Sequence, residues 1–222
     1  MSSSEKIALV TGASRGLGAA LAEQLALRGW HVVAVARTTG GLEELDDRVK
    51  AQGLPGAGSL TLAPMDVTNE EAMRHLCRSI HDRWGGLGFW AHMAIHATAL
   101  SPAGSVDMKD LDKSIACNLR ASSFLITAVE PLLIAHQGTA LFADDPMPGS
   151  ANGACYGMTK AAQMAAVRAW AAETRRIGPK VVIGTPAPMP TALRARFYPG
   201  EDRAPLAQPR DEAAKLLALA LG

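Results

Sequence analysis

Tyr156 and Lys160 stand four residues apart in Tyr156-Gly-Met-Thr-Lys160. On a helix that spacing puts a phenol and an ammonium one turn apart on the same face. Such a pair can deliver a proton to an oxygen that gains negative charge, as when hydride reaches a carbonyl carbon. A phenol of ordinary pKa, about 10, is a poor acid–base group at neutral pH, and a neighbouring cation corrects this by favouring the phenolate. The chain has two tyrosines in 222 residues, and this one opens a long helical pattern.

A second stretch supplies a partner for that chemistry. Residues 7–10 form a short apolar run, followed by Gly12, Gly16 and Gly18 and then by Leu17, Leu21 and Leu25 at helical spacing. Strand, glycine turn and helix together aim backbone N–H groups at a pyrophosphate. Glycine there permits close approach and positive φ. The spacing is Gly-x3-Gly-x-Gly rather than the commoner Gly-x-Gly-x-x-Gly. The next strand ends Ala36-Arg37-Thr38, with no acid until Glu43. An acid at that point would accept from a ribose 2′-hydroxyl, whereas Arg37, with Arg15 inside the glycine turn, suits a 2′-phosphate. The charge logic favours NADP(H) over NAD(H), the alternative being that both arginines are solvated surface residues. Asp66-Val67, after the third strand, falls where a carboxylate can accept from adenine, although a turn-forming Asp ahead of an Asn69 helix cap explains it equally well.

The elements that must position these groups follow from the apolar pattern. Buried strands are expected over residues 7–10, 30–36, 60–63, 87–94, 139–143 and 180–185. Helices are expected over 41–50, 70–84, 107–135 (bent or ended by Pro131), 154–177 and 209–221. Continuous apolar strands separated by helices indicate a parallel sheet covered on both faces. No repeat or linker interrupts the pattern, so residues 1–222 read as one doubly wound α/β domain.

With these motifs in place, the chain resembles the short-chain dehydrogenase/reductase family over nearly its whole length. Thr11-Gly-Ala-Ser-Arg-Gly-Leu-Gly18 matches the family's cofactor turn, and Asp66-Val67 its adenine contact. Asn118 falls where the family has an asparagine that helps hold a proton-relay water. Tyr156 and Lys160 match the catalytic pair, and Pro186-Ala-Pro-Met-Pro-Thr191 resembles a segment whose threonine contacts the nicotinamide carboxamide. The resemblance implies a single Rossmann domain and catalysis by Tyr156, Lys160 and Asn118. It implies a dinucleotide held by Gly12, Ser14, Arg15, Gly16, Leu17, Gly18, Arg37, Thr38, Asp66, Val67, Ala94, Tyr156, Lys160 and Thr191. It also implies a homodimer or homotetramer, built on the apolar faces of the two long helices.

Two segments depart from the family pattern. The Asn-Asn-Ala-Gly segment reads His92-Met-Ala-Ile95, which puts an isoleucine where backbone lies close to the nicotinamide ribose. The serine expected about thirteen residues before the tyrosine becomes Ala143 or, with a one-residue shift, Asp144, with Ser150 the nearest hydroxyl. An ionised Asp144 beside Tyr156 would raise the phenol pKa, each unit being about 1.4 kcal/mol against the phenolate. The expected function is therefore an NADP(H)-dependent carbonyl reductase or alcohol dehydrogenase acting on a small carbonyl/alcohol substrate. The alternative is a catalytically impaired dinucleotide-binding relative serving as scaffold or sensor.

Composition limits other classes. Hydrophobic residues make up 48% and charged residues 19%, with a formal charge of +1. No charge run supports a nucleic-acid or membrane-surface partner. Cys77, Cys117 and Cys155 are odd in number and widely spaced, which reads as buried thiols in a reducing compartment. The N-terminus lacks a basic region, residues 7–10 are too short for a signal core, and no uninterrupted apolar stretch of membrane length occurs, so a cytoplasmic location is expected. His92 and His96 lack a third ligand at matching spacing, so they read as structural and no metal is expected. The short segment between Thr191 and Pro209 suggests an open pocket.

Overall fold

The computed structural model describes residues 6–222. The part of the no-leader reading that rests on residues 1–5 lies outside the described residues. Six strands form the sheet: β1 (Ile7–Thr11), β2 (His31–Ala36), β3 (Leu60–Pro64), β4 (Phe89–His92), β5 (Thr139–Ala143) and β6 (Lys180–Gly184). Their order is β3-β2-β1-β4-β5-β6, and every neighbouring pair is parallel. Chain direction across the sheet reverses between β1 and β4, which opens a crevice at their C-terminal ends.

The period-two alternation of β1 divides the core. Ile7 and Leu9 join Trp90, Phe142, Leu125, Val129 and Trp170 on one face, while Ala8 and Val10 join Leu21, Leu25, Leu42 and Leu217 on the other. The second face is covered by α1 (Gly16–Leu27), α2 (Thr39–Ala51) and α8 (Pro209–Leu221). The first is covered by α3 (Glu70–Trp84), α4 (Met108–Ser114), a π-helical segment Ile115–Ala121, α5 (Ser122–Ala135) and α6 (Ala154–Glu173). Trp90 is fully buried and meets Phe142 edge-on at 5.2 Å between ring centroids, with Trp170 at 6.2 Å. Trp90→Ala is expected to cost about 3–5 kcal/mol, read as a lower urea midpoint at unchanged slope.

Local chemistry sets the element ends. Asn69 accepts from the Ala72 N–H to start α3, and Gly85 at φ +77° ends it. Strand β4 is shorter than residues 87–94 because Leu87 and Gly88 belong to the turn that enters it, while Met93 and Ala94 turn out to line the crevice. The α6 helix stops at Glu173 rather than residue 177. Pro131 does not end α5, which continues to Ala135. A seventh helix, α7 (Ala192–Phe197), was not expected from the pattern. Residues Met108–Ala135 together are long and apolar enough to cross a membrane by length and composition, although Arg120 and Glu130 interrupt the apolar run. Here Leu125, Val129 and Leu133 are buried against the sheet.

Candidate active site

The crevice widens into a cleft of about 630 Å³ running from Arg37 to Asp145. One end is the glycine turn. Gly12 has φ +83°, and a Cβ on it would lie 2.6 Å from the Ala94 nitrogen; one on Gly18 would lie 2.1 Å from the Gly12 carbonyl oxygen. The turn is thus closed by backbone on backbone at Gly12 and Gly18, and the Thr191 side chain stands against Gly16. Arg15 is the N-cap of α1 in extended conformation and gives the helix no side-chain cap, so the first N–H groups remain available to an anion. Ser14, Arg15, Gly16, Leu17 and Arg37 all line this end. Among the described residues Arg15 and Arg37 have no ion-pair partner. This turn, with two free guanidiniums beside it, fits a dinucleotide phosphate.

Asp66 and Val67 also line the cleft. Asp66 Oδ1 accepts from the Thr68 N–H and hydroxyl, both at 2.9 Å, so it shapes the turn while lining the cleft. Ala94 and Thr191 line it too, and the Thr191 hydroxyl caps α7 by accepting from the Arg194 N–H. Thr38 is not among the lining residues; it stands exposed at the start of α2.

The other end holds Tyr156 and Lys160, both on α6 and both buried. The residue facing the phenol is neither Ala143 nor Asp144. The Tyr156 hydroxyl donates to Asp145 Oδ2 at 3.0 Å, while Asp144 turns away to pair with Arg168 at 2.5 Å. The turn after β5 decides this, because Asp145 Oδ1 accepts from the Met147 N–H and so holds its other oxygen toward the phenol. Burial first, then the Asp145 charge and hydrogen bond, and last the expected charge of Asp144, push the Tyr156 pKa well above the ordinary phenol value. Ser150 is exposed and lies outside the cleft lining.

Lys160 does not depress that pKa here, because its ammonium is engaged elsewhere. Lys160 Nζ donates to Gln163 Oε1 at 2.6 Å, and burial lowers its own pKa to about 8. From there a buried chain continues. Gln163 Nε2 donates to Ser122 Oγ at 2.8 Å, His92 Nε2 meets the same oxygen at 2.9 Å, and His92 Nδ1 meets Thr11 Oγ1 at 2.7 Å. Ser122 has one hydrogen and gives it to the Asn118 carbonyl. His92 must therefore donate through Nε2–H, and Thr11 donates to Nδ1. A second imidazole proton would displace the Thr11 hydrogen.

The displaced hydrogen would have the Ala91 carbonyl at 3.4 Å as its acceptor, and the His92 pKa is lowered to about 3 first by burial and then by the Lys160 charge. A folded-state pKa below the unfolded value of about 6.5 means the neutral ring contributes its full stability above that pH. The contribution, of order several kcal/mol, is lost as pH falls from about 6.5 toward 3. The urea midpoint of the wild type is expected to fall across that window more steeply than that of His92→Gln.

Asn118, expected at the relay, is fully buried in the π-helical segment and does not line the cleft. Its side-chain amide is consumed by the His96 backbone, accepting from N–H at 2.7 Å and donating to C=O at 2.8 Å, and by Thr159. It ties the loop after β4 to α6 rather than facing a substrate. His96 lines the cleft, and its buried Nε2 has no partner. Among the described residues no group of three metal-ligating side chains occurs. All three cysteines are free, and burial pushes the Cys77 and Cys117 thiols up to about 11.

The segment after β6 closes over the tyrosine instead of leaving it open. Phe197 of α7 packs on the Tyr156 ring at 5.0 Å, and Ile95, Ala97 and Met147 complete the apolar wall. Arg196 donates to the Ala97 carbonyl at 2.6 Å, and Arg194 pairs with Glu201 within the segment. Ile95 therefore packs toward the phenol.

The short chain dehydrogenase family profile matches residues 6–202. The chain belongs to that family. It is 27% identical over 216 residues to an uncharacterised oxidoreductase of Staphylococcus aureus (strain MW2), covering 96% of this chain and 90% of the relative. Over 85 residues, 37% of this chain and 31% of the relative, it is 42% identical to dehydrogenase/reductase SDR family member 11 of Homo sapiens. Its fold is shared with a short chain dehydrogenase of Shigella flexneri complexed with NADP (TM-score 0.86, 24% identity, 96% of this chain and 90% of that one). It is shared also with an alcohol dehydrogenase of Thermococcus sibiricus complexed with 5-hydroxy-NADP (TM-score 0.83, 22% identity, 97% and 90%). Four groups of this candidate site escaped the sequence reading: Asp145, Gln163, Ser122 and Phe197. Gln163 alone carried a signal, at i+3 from Lys160.

Proposed function

We propose that this chain is an NADP(H)-dependent oxidoreductase that moves hydride between nicotinamide and a small substrate, with the carbonyl/alcohol couple as the reference case. The observation that carries the reading is the joining, in one cleft, of a tight glycine turn to a buried Tyr156–Lys160 pair. Gly12, Ser14, Gly16, Leu17 and Gly18 would hold the pyrophosphate, with Asp66 and Val67 at the adenine and Ala94 and Thr191 toward the nicotinamide. Arg15 and Arg37 favour NADP(H), since both lack a protein carboxylate and would gain one dianion. The NADP in the S. flexneri relative and the 5-hydroxy-NADP in the T. sibiricus relative support the same choice. When bound, the nicotinamide supplies or accepts the hydride. Tyr156 holds the proton for a nascent oxygen, Phe197 and Ile95 exclude water, and Lys160 holds positive charge beneath them.

A second reading, dinucleotide binding without turnover, is favoured by Ala143 standing where a hydroxyl would be and by Asp145 engaging the phenol. Titration with NADPH and NADH, followed by NADPH oxidation against ketones, aldehydes and cyclic imines, tests both. Tight NADPH binding with turnover selects the oxidoreductase, binding without turnover selects the second reading, and no binding of either cofactor overturns both. The same reading places a homodimer or tetramer on the α5 and α6 faces, where Ile134 and Met158 stand about half exposed. Light scattering is expected to return at least twice the 23.2 kDa chain mass.

A further inference from the structure

We propose, resting on the reading of this cleft as an NADP(H) oxidoreductase site, that Asp145 recognises a protonated nitrogen on the substrate, so that the reducible group is an iminium C=N bond. A carbonyl oxygen that becomes an alkoxide needs hydrogen-bond donors aimed at it. Here one expected donor is absent at Ala143, and the single hydrogen of the Tyr156 hydroxyl is directed to Asp145 Oδ2 at 3.0 Å. The group presented to the substrate is thus an acceptor carrying negative charge, which repels a developing alkoxide and attracts a cation.

The neighbouring acids show why Asp145 in particular is free to act. Asp144 is paired with Arg168, and Glu201 with Arg194. Asp145 has no ion-pair partner among the described residues. Lys160 and Arg194 are the near cations, and their hydrogens are given to Gln163 and to Glu201. The surrounding wall is apolar, formed by Ile95, Ala97, Met147 and Phe197. In such a setting a carboxylate without an ion-pair partner favours an N–H cation over a neutral ketone of equal size.

The chemistry balances without a proton from the protein. The iminium carbon gains one C–H bond from hydride, the C=N π pair becomes the nitrogen lone pair, and the positive charge is discharged. Reduced nicotinamide is the hydride source and is left oxidised. The product is a neutral amine, which takes up a proton from water on release.

The test uses methylpyrrolidine as the cationic probe and methylcyclopentanone as the neutral one. Both are titrated calorimetrically into wild type, Asp145→Asn and Asp145→Ser, each with and without NADP⁺. Melting temperature and NADPH affinity are measured on every variant. Wild type is expected to bind the amine at least about tenfold more tightly than either variant, with ketone affinity unchanged. Wild type is also expected to reduce methylpyrroline in preference to methylcyclopentanone, with the preference reversed in Asp145→Ser. Equal amine affinity in wild type and both variants, with NADPH binding intact, overturns the proposal and leaves the oxidoreductase reading standing. Loss of NADPH binding in wild type, with amine binding still dependent on Asp145, overturns the oxidoreductase reading and supports the cation site.

Discussion

Gly18→Ala is expected to abolish dinucleotide binding. The new Cβ would lie 2.1 Å from the Gly12 carbonyl oxygen and 2.9 Å from its carbon, and backbone atoms cannot swing aside as a side-chain tip would. Gly12 cannot yield either, since it holds φ +83° with the Met93–Ala94 backbone directly behind it. The turn must open, and the N–H groups it aims are lost together. Two charge-assisted hydrogen bonds at about 1.5–3 kcal/mol each correspond to at least a hundredfold in affinity. Repacking adds about 1–3 kcal/mol of destabilisation. NADPH titration of the folded variant checks this, and retained affinity would show that the pyrophosphate lies elsewhere.

Tyr156→Phe is expected to lower kcat for ketone reduction by about 10²–10⁴-fold while NADPH affinity changes little. Methylpyrroline reduction should lose far less, because an iminium brings its own proton. The pH dependence has a definite sign. Burial and Asp145 raise the phenol pKa, so the proton needed for ketone reduction stays in place through neutral and alkaline pH. Alcohol oxidation needs the phenolate and is correspondingly disfavoured. Asp145→Asn removes the adjacent charge and brings the pKa down, so an alkaline fall in ketone reduction should emerge at lower pH than in wild type. Rate profiles of the two proteins decide it.

The strands and long helices were legible because their physics is local. A buried strand needs a continuous apolar run, and residues 139–143 supply one; α3 has its Asn69 cap and Gly85 stop written at its ends. The pairing of Tyr156 with Lys160 was legible for the same reason. The carboxylate that reaches the phenol was not, because counting back from Tyr156 weighs Ala143 and Asp144, whereas a hydrogen bond to Met147 in the turn after β5 presents Asp145. Asn118 was placed on the right helix, but the π-helical segment that carries it turns its amide to the His96 backbone. The six-residue α7 is too short, and too rich in arginine, to leave a period. The contacts of His92 with Ser122 and Thr11 depend on which strands neighbour one another, and a sequence does not print that order.

The chain of side chains beneath Lys160 has a consequence for proton traffic. One hydrogen of each group along it is committed in one sense: Lys160 to Gln163, Gln163 to Ser122, His92 to Ser122, Ser122 to the Asn118 carbonyl. Two donors converge on the serine oxygen, and an amide stands between it and the ammonium. An amide does not hand protons on, so the chain insulates where it might have conducted. A proton leaving Lys160 has one exit, toward the cleft and its occupant, and the interior of the protein is a blind end.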